Sequence, residues 1–149
     1  MENMRFEAFT TLIARSNRLI HKIKTEEMLE FDLKSSHVSC LYYLYKAEVL
    51  TAKELCDECG EDKANISRAV GYLEREGYIY CCSTAQKRYQ TELFLTEKGV
   101  LVGRSIAEKI DRVLNEASIG LTEENRKIFY ESLALICGNL ERICEKYED

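Results

Sequence analysis

Residues 51–96 limit what this chain can fold into more than any other stretch, because helix starts, helix stops and two strand-like runs are written into them in order. Thr51-Ala52-Lys53-Glu54 sets a hydroxyl three residues ahead of a carboxylate. Each side chain can then satisfy a backbone N–H left open at a helix start, so a helix is predicted from Ala52. Its apolar positions Leu55, Cys56 and Cys59 share one face, and Gly60 supplies the left-handed residue that stops it. Asp62 is the expected cap of a second helix over 63–76, with Ile66, Ala69, Val70 and Leu73 turned inward. Lys63, Asn65, Ser67, Arg68 and Tyr72 are left on its other faces.

Gly77 ends that helix, and the aromatic and apolar run 78–82 suits a strand. Over 89–95, Tyr89, Thr91, Leu93 and Leu95 alternate with Gln90, Glu92 and Phe94, the period of a half-buried strand. The loop 83–88 between the runs is polar and carries adjacent cations, Lys87 and Arg88. Two helices joined by a short turn match a helix-turn-helix, whose second helix lies in the DNA major groove with its N-terminal residues at the base edges. A basic hairpin beside that helix is placed for phosphate or minor-groove contact.

These residues resemble the MarR family of bacterial transcription regulators, and the resemblance spans the whole chain. It is carried by Leu55 and Gly60, by Asn65-Ile66-Ser67-Arg68 with Val70 and Leu73, by Gly77-Tyr78-Ile79, and by Leu95-Thr96-Glu97-Lys98-Gly99. In the family the wing carries Asp, any residue, Arg at nine and seven positions before the Thr of the closing Leu-Thr pair. Here those positions hold Lys87 and Tyr89, a departure that removes the Asp bracing the wing arginine. The resemblance implies a mainly α fold with a small β-hairpin wing. A winged helix-turn-helix core over 35–96 is flanked by dimerisation helices over 1–34 and 97–149, all in one domain. It further implies a homodimer on an inverted-repeat operator of double-stranded DNA, most simply a repressor. The implied switch is a small aromatic effector bound between dimer helices and reader, where Tyr42 and Tyr45 are the candidate lining residues. Expected DNA contacts are Thr51, Lys63, Asn65, Ser67, Arg68, Tyr72, Lys87 and Arg88.

The flanks agree on physical grounds. Phe6, Phe9, Leu12, Ile13, Leu19, Ile20 and Ile23 recur at helical spacing, and Ser35 or Ser36 is expected to cap the next helix, which holds Val38, Leu41 and Leu44. After the wing, Val100, Leu101, Ile106, Ile110, Val113 and Leu114 mark a long helix ending near Gly120, and Thr122 caps a last one carrying Ile128, Phe129, Leu133, Ile136, Leu140, Ile143 and Tyr147. The absence of proline fits uninterrupted helices. Terminal helices of this length carry apolar faces that one small domain cannot cover, which favours a dimer. The apolar runs fall short of the roughly 18 residues of a membrane span, and acidic Glu2 and Glu7 do not suit a secretory leader, so a cytoplasmic protein is expected.

A net charge of −5 conceals an uneven distribution. Over 63–91 five cations face two anions, whereas 35–62 and 122–149 are acidic. A basic reader on an acidic body is steered onto a duplex in one orientation. The basic stripe Arg15, Arg18, Lys22 and Lys24 is expected to be a solvated helix face.

Seven cysteines, an odd number, argue against a disulfide framework. Cys56 and Cys59 have CxxC spacing, but core filling is the expectation, since Cys81 and Cys82 point to opposite faces of a strand and cannot easily share one metal. For a thiol switch, the alternative mode of regulation, Cys82 near the wing is the candidate. His21 and His37, with Glu26, Glu27 and Glu30, are the remaining metal candidates. His37, near a helix start, is expected to cap or pack instead. No phosphate loop, nucleophile elbow or paired-histidine motif is present in the sequence, so no catalytic residue, cofactor or metal is expected.

Overall fold

The computed structural model describes residue 5, residues 7–82 and residues 88–148, with Arg88 described by its backbone alone. The chain forms two compact units, Met1–Ile110 and Asp111–Asp149. In the first unit a π-helical turn, Glu7–Thr11, leads into α1 (Leu12–Glu27), then come α2 (Ser35–Ala47), β1 (Val49–Thr51), α3 (Ala52–Cys59), α4 (Lys63–Arg75), β2 (Ile79–Cys81) and β3 (Glu92–Leu95). Helix α5 (Glu97–Ala117) runs from the first unit into the second, where α6 (Glu123–Glu145) follows. Among the described residues no helix is long and apolar enough to cross a membrane.

The core of the first unit is built on α2, α3 and α4. Leu41, Leu44, Leu55, Ile66 and Leu73 are fully buried, with Met28, Leu33, Leu93 and Ile106 around them. Each such side chain contributes about 1.5 to 3 kcal/mol. The caps follow the sequence reading at α3, α4 and α6: Thr51, Asp62 and Thr122 each accept from the backbone N–H three residues on. At α2 the reading is corrected. Neither Ser35 nor Ser36 is the cap; Lys34 is, and its backbone N–H donates to His37 Nδ1 at 3.0 Å. The imidazole thus reaches back as a capping-box carboxylate would.

The wing sheet has three antiparallel strands in the order β1-β3-β2, one more than the hairpin expected from sequence. Leu93 pairs with Leu50 on one side and Cys81 on the other, and Leu95 lies opposite Ile79. Strand β3 begins at Glu92 rather than at Tyr89, and Arg88–Gln90 is a short 3-10 turn. The reason is topological: β1 ends at Thr51, opposite Glu92, where the chain turns into α3 and pairing stops.

The sheet and α5 meet the end of α4 at one close approach. Thr96 donates its backbone N–H to the Tyr78 carbonyl at 3.0 Å, and its hydroxyl donates to the Gly77 carbonyl at 2.6 Å while accepting from Gly99 N–H at 3.1 Å. A Cβ on Gly99 would lie 2.0 Å from the Tyr78 carbonyl oxygen. Only glycine permits the first turn of α5 to press so near. Lys98 adds a hydrogen bond to the Glu76 carbonyl at 2.8 Å and lies over the Tyr78 ring. Lys109 Nζ, further along α5, donates to the Glu27 carbonyl at 2.9 Å.

Neither terminal helix buries a residue of its own. Leu12, Ile13, Leu19, Ile20 and Ile23 stand exposed on α1, as do Ile128, Phe129, Ile136, Leu140 and Ile143 on α6.

Two expected outcomes follow from these contacts. Gly99→Ala should destabilise the chain by about 3 kcal/mol, since backbone must move to admit the methyl group; urea unfolding measures it, and an unchanged midpoint would show that the approach is not rigid. The second concerns His37, whose imidazole burial holds below its ordinary range, with the Lys34 charge adding and Asp32 opposing. The neutral ring is the form that accepts from Lys34. Because the folded value lies below the unfolded one of about 6.5, its stabilisation is present above that pH and is lost as pH falls through the folded value. The melting temperature should therefore drop more steeply below about pH 6.5 than in His37→Asn, whose carbonyl accepts the same bond without titrating; parallel profiles would remove His37 from the linkage.

Candidate nucleic-acid interface

The two helices of the motif are set by their ends. At α3, the Thr51 hydroxyl accepts from Glu54 N–H at 3.2 Å and the Glu54 carboxylate accepts from Thr51 N–H at 2.7 Å. That N–H, and then the hydroxyl, hold the Glu54 carboxyl below its ordinary range. Gly60 closes α3 at a φ of 62°, and Asp62 opens α4 by accepting from Asn65 N–H at 2.7 Å. One face of α4 is committed to the core through Ile66, Ala69 and Leu73, and this fixes what the opposite face presents.

Lys63, Ser67 and Arg68 are exposed on the first two turns of α4, and Asn65 is half-buried beside them. Asn65 joins its neighbours into a chain: its Nδ2 donates to Glu61 Oε2 at 2.8 Å, and Arg68 Nη2 donates to its Oδ1 at 2.8 Å. Lys63 lies over the Tyr89 ring, 4.5 Å from its centroid, which connects the start of α4 to the turn before β3. Tyr89 thus occupies a position where the family pattern has arginine and turns a ring face to a cation of the reader helix. A cleft of about 280 Å³ lies here between α4 and the sheet, lined by Lys63, Ser67, Val70, Tyr89 and Leu93 among others.

Other expected site residues are placed differently. Tyr72 is turned away from this face: its ring stacks on His37 at 4.2 Å, and its hydroxyl donates to the Asp32 carbonyl at 2.8 Å. Its role in the structure is to brace α4 against the start of α2. Lys87 and the Arg88 side chain lie outside the described residues. Tyr42 packs edge-on against Tyr43, and Tyr45 packs on Gly103 of α5. Sequence reading did not single out Glu61 and Tyr89, which contact Asn65 and Lys63 of the candidate interface. The signal for Glu61 was present in its spacing, four residues before Asn65, which is itself three before Arg68.

Among the thiols, Cys82 is exposed at the end of β2, while Cys40 on α2 is fully buried. The neighbouring Cys59 of α3 and burial push the Cys40 thiol up. The neighbouring Cys40 holds Cys59 below its ordinary value, with burial opposing and the Lys24 charge assisting. Cys56 and Cys59 pack against the core, as their spacing beside Leu55 suggested. Among the described residues no group of three or more His, Cys, Asp or Glu side chains is arranged to hold a metal ion.

Comparison with known proteins places this geometry among relatives. A family model described as MarR family matches residues 31–88. An uncharacterized HTH-type transcriptional regulator of Bacillus cereus is 27% identical over 124 residues, covering 82% of each chain. The uncharacterized HTH-type regulator YybA of Bacillus subtilis is 25% identical over 125 residues, covering 84% of this chain and 83% of the relative. Of solved structures, the transcriptional regulator SlyA superposes with a TM-score of 0.81 at 21% identity, covering 90% of this chain and 94% of that one. The DNA complex of S. aureus MepR superposes with a TM-score of 0.77 at 19% identity, covering 89% and 97%. At such identities the structural likeness establishes the fold.

Proposed function

We propose that this chain, whose residues 31–88 match the MarR family and whose fold is that of winged helix-turn-helix transcriptional regulators, is a MarR-type regulator: a homodimeric, sequence-specific repressor that a small molecule releases from an inverted-repeat operator. It is a DNA-binding regulator and not an enzyme. The observation that carries the finer reading is the division of α4: Ile66, Ala69 and Leu73 lock one face into the core, so Lys63, Ser67 and Arg68 are offered to the major groove on a rigid support. S. aureus MepR, a solved structure of the same fold, is known in complex with DNA, which supports DNA as the partner of this chain. Thr51, at the N-terminus of α3, is assigned to a phosphate, and Lys87 and Arg88 to the flanking backbone or minor groove. The uncovered apolar faces of α1 and α6 support dimerisation, since a monomer rarely leaves such surface in water. Two-fold symmetry then sets the half-sites about 34 to 36 Å apart. An effector works by favouring a separation of the two α4 helices that no longer fits successive grooves.

Fluorescence anisotropy against DNA from upstream of the chain's own gene and against a scrambled duplex, each at two salt concentrations, tests the reading. Salt-sensitive binding that prefers the native duplex is expected, and Arg68→Ala should weaken it by about 1 to 3 kcal/mol. Equal binding of both duplexes would defeat sequence-specific reading, and an unaffected Arg68→Ala would remove Arg68 from it.

A further inference from the structure

We propose that Glu61 is a positioning residue for DNA reading: through Asn65 it sets the direction in which Arg68 presents its guanidinium. This deepens the reading of α4 given above and rests on it.

The geometry is a relay on one side of the helix start. Glu61 is half-buried, and its backbone N–H donates to the Cys56 carbonyl at 3.2 Å, so the anchor belongs to the end of α3. Its carboxylate accepts from Asn65 Nδ2, and Asn65 Oδ1 accepts from Arg68 Nη2, both at 2.8 Å. A carboxylate can only accept, so it obliges the Asn65 amide to turn its nitrogen toward Glu61. The amide oxygen is then left facing Arg68. Without that partner the Asn65 amide is free to flip and offer Arg68 a donor against its own donors. With it, one N–H of the guanidinium is held and the others remain fixed in direction, ready for a guanine edge or a phosphate. Ordering Arg68 before DNA arrives removes part of the entropy that binding would otherwise cost.

The charge of Glu61 acts in a second way. With Asp62 it puts two carboxylates at the end of α4 that would enter the groove. Carboxylates here stabilise the helix start, but they repel the phosphate backbone of operator and scrambled duplex alike. Glu61 therefore favours specific binding through orientation, while its charge weakens both kinds of binding equally. A residue that merely supported the fold would shift both kinds of binding in one direction.

The test is a set of anisotropy titrations of the full chain on the operator duplex and the scrambled duplex, using wild type, Glu61→Ala and Glu61→Gln, each also in an Arg68→Ala background. Glu61→Ala should lower the preference for operator by about three- to tenfold, with affinity for the scrambled duplex unchanged or raised. Glu61→Gln, whose amide oxygen can accept from Asn65, should keep operator affinity within about twofold of wild type. With Arg68→Ala in place, Glu61→Ala should alter the preference by less than about twofold. An equal effect in both backgrounds, or none beside an intact Arg68, overturns the positioning role while leaving the DNA-reading assignment standing. A wild-type chain that does not distinguish the duplexes overturns both. Should Glu61→Ala unfold at the assay temperature, Glu61→Asp, which withdraws the carboxylate by one methylene, takes its place with the same expected loss.

Discussion

The approach of Gly99 to the Tyr78 carbonyl is the contact on which the reader's geometry depends. It joins the turn between α4 and β2 to the turn between β3 and α5, with Gly77 and Thr96 standing 19 residues apart in sequence. Thr96 secures the junction by serving Gly77, Tyr78 and Gly99 at once, and Lys98 adds its bond to Glu76. A gap of the size a side chain needs would let the sheet tilt against α4, and Tyr89 would leave Lys63. The Leu-Thr-x-x-Gly run that carried much of the family resemblance thus has a local physical reason in this chain: Thr for three partners, Gly for absent volume.

What was legible in the sequence was what short-range chemistry decides. The caps at Thr51, Asp62 and Thr122, the left-handed stops at Gly60 and Gly77 and the inner face of α4 each depend on residues within one or two turns. What was not legible depends on distant partners. Strand β1 is three residues long, too short for a period of two to show, and it exists because Leu50 meets Leu93. The start of β3 was misjudged because alternation continues to Tyr89 in sequence, while pairing stops where β1 turns into α3. Tyr72 looked like a reader by its place on α4, yet its hydroxyl is held by a carbonyl at Asp32 and its ring by His37. Of the candidate site, Lys63, Asn65, Ser67 and Arg68 were proposed from helical position and stand together at the start of α4, whereas Glu61 stands before the cap, outside the helix whose faces the sequence reading sorted.

The thiols show what spacing reports and what it does not. By sequence, Cys56 and Cys59 were expected to fill the core beside Leu55, and they pack against it. Spacing did not report that Cys40 of α2 lowers the Cys59 thiol, with burial opposing and the charge of Lys24 of α1 assisting. Lys24 also donates to the Ser39 hydroxyl at 2.9 Å, so one cation serves both a hydroxyl on α2 and the field around a thiol on α3. Electrostatic environment is a tertiary property, and no spacing rule reports it.

The same contacts constrain how a signal could reach the DNA-facing helix. Lys24 ties α1 to α2, Lys109 ties α5 to the end of α1, and the His37–Tyr72 stack ties α2 to α4. Between them lie fully buried side chains packed without room for gradual adjustment. A helix held in this way does not bend to release DNA; it moves with the body to which it is packed. In the proposed dimer, regulation must then act on the separation and tilt of two such bodies, which makes the exposed apolar faces of α1 and α6 part of the switch as well as part of the interface.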